Sequence, residues 1–213
     1  MNKSDVNWVF PKLFPVVVLT FILMIFLSSR ILYVEHISSS LKATEFIVNK
    51  PYLVVIAEMA DKESLEKAVQ NSGSKLISKE WKDFNLIQPD RRLRLKEYRL
   101  IGDLYFKVST NDSSLGNLVL NFNQKVNLNK KEFKIETKLN KENKKVLKYD
   151  KLITISPTSD KIFNTVKIKI TSELKVKNEI PFFANKIMDE KVKRSNELDL
   201  EKTKNFLLDK LNK

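Results

Sequence analysis

The sequence predicts an α+β domain: a bent antiparallel sheet with a short helix after the first strand and a long C-terminal helix, preceded by one transmembrane helix. Three observations predict it. Apolar and polar residues alternate through most of the stretch from Arg91 to Val176, where no segment keeps a helical period. A helical pattern replaces the alternation after Pro181. The seventeen residues from Leu13 to Ser29, LFPVVVLTFILMIFLSS, carry no charge.

The uncharged run is bracketed by Lys12 and Arg30. At about 1.5 Å per residue it spans roughly 25 Å, and Trp8, Val9 and Phe10 extend its apolar surface into the interface, where Trp is favoured. Pro15 falls near the first turn, where a missing N–H is tolerated. A cleaved secretory signal would want small residues at the last and third-last positions, and cutting after Ser29 or Ser28 puts Leu27 or Phe26 there instead. The run is therefore read as an uncleaved single-pass anchor. Residues 1–12 form its N-terminal flank, 13–30 the anchor, 31–43 a linker and 44–213 the folded domain. The flanking basic residues are balanced, so orientation is not readable.

Within the domain, YLVVIAEM from Tyr52 to Met59 is a β-branched run bounded by Pro51 and Asp61, which reads as the first strand. Asp61 is placed to cap a short amphipathic helix over residues 62–72, with Leu65, Ala68 and Val69 at helical spacing and Gly73 as its stop. Arg91 to Tyr98 sets Leu93 and Leu95 on one face of a strand and Arg92, Arg94 and Lys96 on the other. Further strands follow through Leu104 to Val108, Leu118 to Phe122, Phe133 to Leu139, Leu147 to Ile155 and Val166 to Val176, joined by short polar loops. Beyond Pro181, Phe183, Ile187, Met188 and Val192 share a helical face that Leu198, Phe206, Leu207 and Leu211 continue less regularly. Capping residues at Ser195 and Asn196 allow a kink or break.

Composition removes several function classes. The chain has no cysteine, one histidine and three glycines, so thiolate chemistry and Cys/His zinc sites are excluded. Gly73, Gly102 and Gly116 cannot be arranged into either phosphate-cradling glycine motif. No metal set and no cofactor is assigned. The net charge of +13 comes mostly from lysine and favours contact with anionic membranes or nucleic acid in general.

The order of strand, helix, antiparallel strands and long C-terminal helix, with the junction VKNEIPFFANKIM, resembles the START-like superfamily, the helix-grip fold of lipid-transfer domains and polyketide cyclases. The resemblance runs over residues 44–213. It implies a cavity between sheet and helix for an apolar ligand, with Leu93, Leu95, Phe106, Phe122, Ile168, Ile170, Phe183 and Ile187 as lining. It transfers no catalytic residue.

Four of the six arginines, Arg91, Arg92, Arg94 and Arg99, fall in one segment. Arg92, Arg94 and Lys96 form a basic stripe suited to anionic headgroups or an acidic partner, against a plain solvated sheet face. His36, without a nucleophile or ligand set beside it, reads as a juxtamembrane surface residue. Glu97, Asp103, Glu132 and Glu136 are candidates for cross-strand acid/base pairs but fit solvated counter-charges better. The ten lysines between Lys125 and Lys151 read as hairpin edges. Their aromatics, Phe133 and Tyr149, sit at inward positions, which argues against nucleic acid. The functional expectation is a membrane-anchored, non-enzymatic domain that binds an apolar or amphipathic ligand, such as a lipid or pigment-like molecule, or supports a membrane complex. The alternatives are a scaffold or assembly factor without a cavity, docking through its basic sheet face onto a membrane-protein partner, and a cyclase-type enzyme using carboxylates with Tyr98 or Tyr105.

Overall fold

The computed structural model describes residues 18–25, 33–70, 75–87, 99–112, 116–129, 131–141, 143–158 and 165–212. Strand β1 (Tyr33–Val48) is followed by helices α1 (Tyr52–Met59) and α2 (Lys62–Gln70). Six strands come next: β2 (Lys75–Ile87), β3 (Arg99–Asp112), β4 (Gly116–Leu128), β5 (Phe133–Leu139), β6 (Val146–Pro157) and β7 (Val166–Pro181). A 3-10 turn (Phe182–Ala184) leads into α3 (Asn185–Leu211).

The strands form one antiparallel sheet in the order β1-β7-β6-β5-β4-β3-β2. Each strand from β2 to β7 pairs with its neighbour in sequence, as short connections favour. The exception is β1, which pairs with β7 from Tyr33 opposite Pro181 to Val48 opposite Val166. Helices α1 and α2 therefore carry the chain from one edge of the sheet to the other. Helix α3, about 40 Å long at 1.5 Å per residue, packs on β1 and β7.

Two segments differ from the sequence expectation. Tyr52–Met59 is a helix, not a strand. Its run is apolar on every side, so periodicity cannot separate the two, and packing decides: Tyr52, Val55, Ile56 and Met59, at helical spacing, are buried. The first strand is Tyr33 to Val48, in the stretch expected to hold the linker and the start of the domain, because its even-numbered residues Ser38, Ser40 and Val48 turn inward beside β7. Polar serines at inward positions hid that strand from a hydrophobic pattern. Arg91 to Tyr98 lies outside the described residues, and so do the ends of the segment 13–30. Residues 18–25 are helical and exposed, and among the described residues no helix is long and apolar enough to cross a membrane.

Alternation gives the sheet an apolar inner face whose side chains divide into two clusters. One, at the α1 end, gathers Ile56, Met59, Leu100, Leu128, Phe133, Ile155, Ile168 and Ile170 beneath Leu200, Leu207 and Leu211 of α3. The other gathers Leu104, Phe106, Val108, Leu120, Phe122, Val146, Leu174 and Val176 beneath Met188 and Val192. Gly102 leaves room for the Trp81 indole against β3, since a Cβ there would come within 2.9 Å of the ring.

Asp61 caps α2 as expected, accepting the Ser64 amide N–H at 2.8 Å and the Ser64 hydroxyl. Burial alone would raise its carboxyl pKa, but the two Ser64 hydrogen bonds outweigh this and hold it below the usual carboxylate range. Asp61→Ala should cost about 1 kcal/mol at neutral pH. Because the folded-state pKa is depressed, the stabilisation exists above the unfolded value of about 3.9 and disappears as pH falls through the folded one. Thermal melts of wild type and variant should therefore converge on acidification; a gap independent of pH would refute the charged cap.

Candidate functional site

Between the two clusters the inner face turns polar. Lys151 and Tyr149 are two apart on β6, so both point toward α3. A bulge between Val146 and Lys148 brings Val146 inward and sets this parity. Asn196, Asp199 and Thr203 follow one another at intervals of three and four on α3, so they share the face that meets the sheet. A cavity of about 190 Å³ opens there. Phe106, Val108, Leu120, Phe122 and Leu174 form much of its apolar wall; Tyr149, Lys151, Gln124, Asn196, Asp199 and Thr203 form the polar side.

Asp199 organises that polar side. Its Oδ2 accepts the Tyr149 hydroxyl at 2.9 Å and the Lys151 ammonium at 2.6 Å. Lys151 Nζ also donates to Thr203 Oγ1 at 2.9 Å, and Thr203 in turn donates to the Asp199 carbonyl at 2.8 Å. Burial, then the Asp199 charge and the hydrogen bond to it, push the Tyr149 phenol well above its ordinary pKa. It therefore remains a donor. The group is charge-balanced and its carboxylate is already engaged by two donors, which suits fixing one end of a ligand pocket more than abstracting a proton.

Among the described residues that line the cavity, two buried amide atoms have no hydrogen-bond partner. Asn196 Nδ2 donates to the carbonyls of Ser40 and Ser172 at 3.0 and 3.1 Å, which fixes the amide orientation and leaves Oδ1 without a partner. Gln124 accepts from Thr137 at 3.3 Å through Oε1, and its Nε2 has no partner. The two residues are 1% and 2% exposed, and both atoms are enclosed by protein, with no surface open to the cavity.

Of the lining expected from sequence, Phe106 and Phe122 are stacked with ring centroids 5.3 Å apart in the cavity wall. Ile168 and Ile170 are fully buried in the α1-end cluster and do not line the cavity. Phe183 and Ile187 are corrected outright: they are 67% and 57% exposed, because the helix face that meets the sheet runs through Met188, Val192 and Asn196. Leu93, Leu95 and the stripe Arg92, Arg94 and Lys96 lie outside the described residues. Helix α3 is continuous through Ser195 and Asn196, since the Asn196 amide bonds across to β1 and β7 instead of capping.

The carboxylates considered for acid/base work face away from the cavity. Asp103 accepts from Asn123, and Glu132 and Glu136 pair with Lys134 and Lys138. Tyr105 also points outward, with Lys82 Nζ 4.1 Å from its ring centroid. Glu97 and Tyr98 lie outside the described residues. His36 bonds Asp189 on α3 at 2.9 Å. Sequence reading missed Lys151, Asp199, Asn196 and Thr203. The available signal was parity: Lys151 interrupts the inward series from Tyr149 to Ile155, and Asn196 and Thr203 interrupt the series from Met188 to Leu211.

Strand order, the β1–β7 pairing and the C-terminal helix across the sheet make this a helix-grip α+β fold. No family model matches the chain, and no curated protein matches it. Among solved structures it is similar to the Zhui aromatase/cyclase from Streptomyces sp. R1128, with 9% identity and a TM-score of 0.49 over 82% of this chain and 94% of that one. A START superfamily protein from Mycobacterium smegmatis shares 12% identity at a TM-score of 0.42 over 81% and 97%. Norcoclaurine synthase from Thalictrum flavum shares 14% at 0.42 over 81% and 92%.

Proposed function

We propose that the protein binds a small amphipathic molecule, about one ring in size, between the sheet and α3, without chemistry of its own, at a membrane to which the segment 13–30 anchors it. The observation that carries the ligand reading is the cavity of about 190 Å³, with an apolar wall of Phe106, Val108, Leu120 and Phe122 and a polar side that includes Tyr149, Lys151 and Thr203. A chamber of roughly 150 Å³ is enough for benzene, so one ring fits and a long acyl chain does not fit whole. The cavity favours this reading over a scaffold with a filled core, and the outward Asp103, Glu132, Glu136 and Tyr105 weigh against the cyclase-type enzyme.

The anchor reading rests on the uncharged run from Leu13 to Ser29 and is tested by carbonate extraction, in which the full chain should stay with the membrane. The ligand reading is tested by calorimetric titration of the purified full chain with phenol and toluene. The two probes are close in size, but phenol supplies a hydroxyl to the polar side of the cavity. One such hydrogen bond contributes about 1 to 1.5 kcal/mol, so phenol should bind about tenfold tighter than toluene. Equal affinities would remove the polar recognition, and no binding of either would remove the ligand reading.

A further inference from the structure

The β1 start and the β7 end meet at one pole of the domain, and apolar side chains are exposed there together. Tyr33 lies opposite Pro181 and Val34 opposite Ile180. The 3-10 turn that follows touches β1, and α3 starts immediately after it. At this pole Tyr33 is 56% exposed, Val34 38%, Phe182 54%, Phe183 67% and Ile187 57%. The phenylalanine rings pack edge to face on each other, 5.8 Å between centroids, not on the core. Two adjacent phenylalanines left in water by a fold that buries Phe133 and Phe122 call for a cover.

Chain connectivity says what that cover is. Ser29, the last residue of the uncharged run, is four residues from Tyr33. Four residues reach at most about 14 Å, so Tyr33 cannot leave the membrane surface by more than that distance if the run spans the bilayer. We infer that the pole formed by Tyr33, Val34, Phe182, Phe183 and Ile187 is a membrane-docking surface, inserted into the headgroup and upper acyl region beside the anchor's exit point. The inference rests on the anchor reading above and adds the orientation of the domain: strands β1 and β7 stand on the bilayer at this end, with α1 at the far pole. The rim charges are of mixed sign. Glu35 lies opposite Glu179 and pairs with Lys177 at 2.6 Å, and Lys186 is exposed on α3. Docking is therefore apolar in character and does not need anionic lipid, which separates it from contact through a basic stripe.

The absence of cysteine makes the test direct. Full-length Phe183→Cys, Ile187→Cys and Leu53→Cys, each carrying one nitroxide label, are reconstituted into phosphatidylcholine vesicles, and accessibility to oxygen and to a water-soluble nickel chelate is measured. Leu53 is an equally exposed apolar control, 54% exposed on α1, beyond a strand of 16 residues or about 50 Å from the docking pole. The labels at 183 and 187 should be more accessible to oxygen than to the chelate, with added salt changing nothing, and the label at 53 should show the reverse. Chelate access at 183 and 187 equal to that at 53, in protein that still resists carbonate extraction, overturns the docking surface while leaving the anchor intact. Release of the full chain by carbonate overturns both. Strong dipolar broadening between labels at 183 of separate molecules, with no oxygen preference, assigns the pole to a second copy and also overturns it.

Discussion

Lys151→Met should lower the stability of the protein by about 3 kcal/mol, the low end of what removing one partner of a buried ion pair costs. Lys151 and Asp199 have side chains only 10% and 19% exposed, so the Asp199 carboxylate would keep the Tyr149 hydroxyl and lose its counter-charge in a setting where little water can replace it. Thr203 Oγ1 would lose its donor as well. For a chain of this size the thermal midpoint should fall by roughly 6 to 12 °C. The double variant Lys151→Met with Asp199→Leu should recover part of the loss, because an apolar pair replaces both charges instead of stranding one, while the Tyr149 hydroxyl still loses its acceptor. A single variant that melts within a degree of wild type, or a double variant no better than the single, would show that the pair is solvated and not an internal tie between β6 and α3.

Val108→Trp should weaken phenol binding by more than tenfold and leave the thermal midpoint unchanged or raised. Val108 is 3% exposed, lines the cavity and lies directly opposite Leu120, so an indole at this position projects into the chamber. Filling an existing void supplies contacts that its walls lack, which offsets the strain that a larger side chain causes in a packed core. Ile101→Trp, at a 41% exposed position of the opposite parity on the same strand, is the control and should bind phenol as wild type does. Retention of binding in Val108→Trp would place the ligand outside this cavity.

The reach of sequence reading followed how local each signal is. Alternation in Val166 to Val176 and in Leu104 to Val108 defined strands correctly, since a period of two depends only on which face is buried. The long helix after Pro181 and the Asp61 cap were legible for the same reason: both are set within a few residues. Tyr52–Met59 was not, because an all-round apolar run fits either period and only the packing of Tyr52, Val55, Ile56 and Met59 selects the helix.

Local pattern and composition are enough to specify the antiparallel strands, the C-terminal helix, the lack of thiol and glycine-loop chemistry, and the uncharged run beside the domain. The site depends on packing between distant segments. Lys151 and Asp199 are 48 residues apart and meet only because α3, packed on β1 and β7, turns its polar positions inward toward β6, at an offset no local pattern encodes. The helix rotation that brings Asn196 and Asp199 to the cavity also turns Phe183 and Ile187 out to solvent. A helical residue's partner is chosen by the angle at which the helix packs, which depends on every side chain beneath it at once.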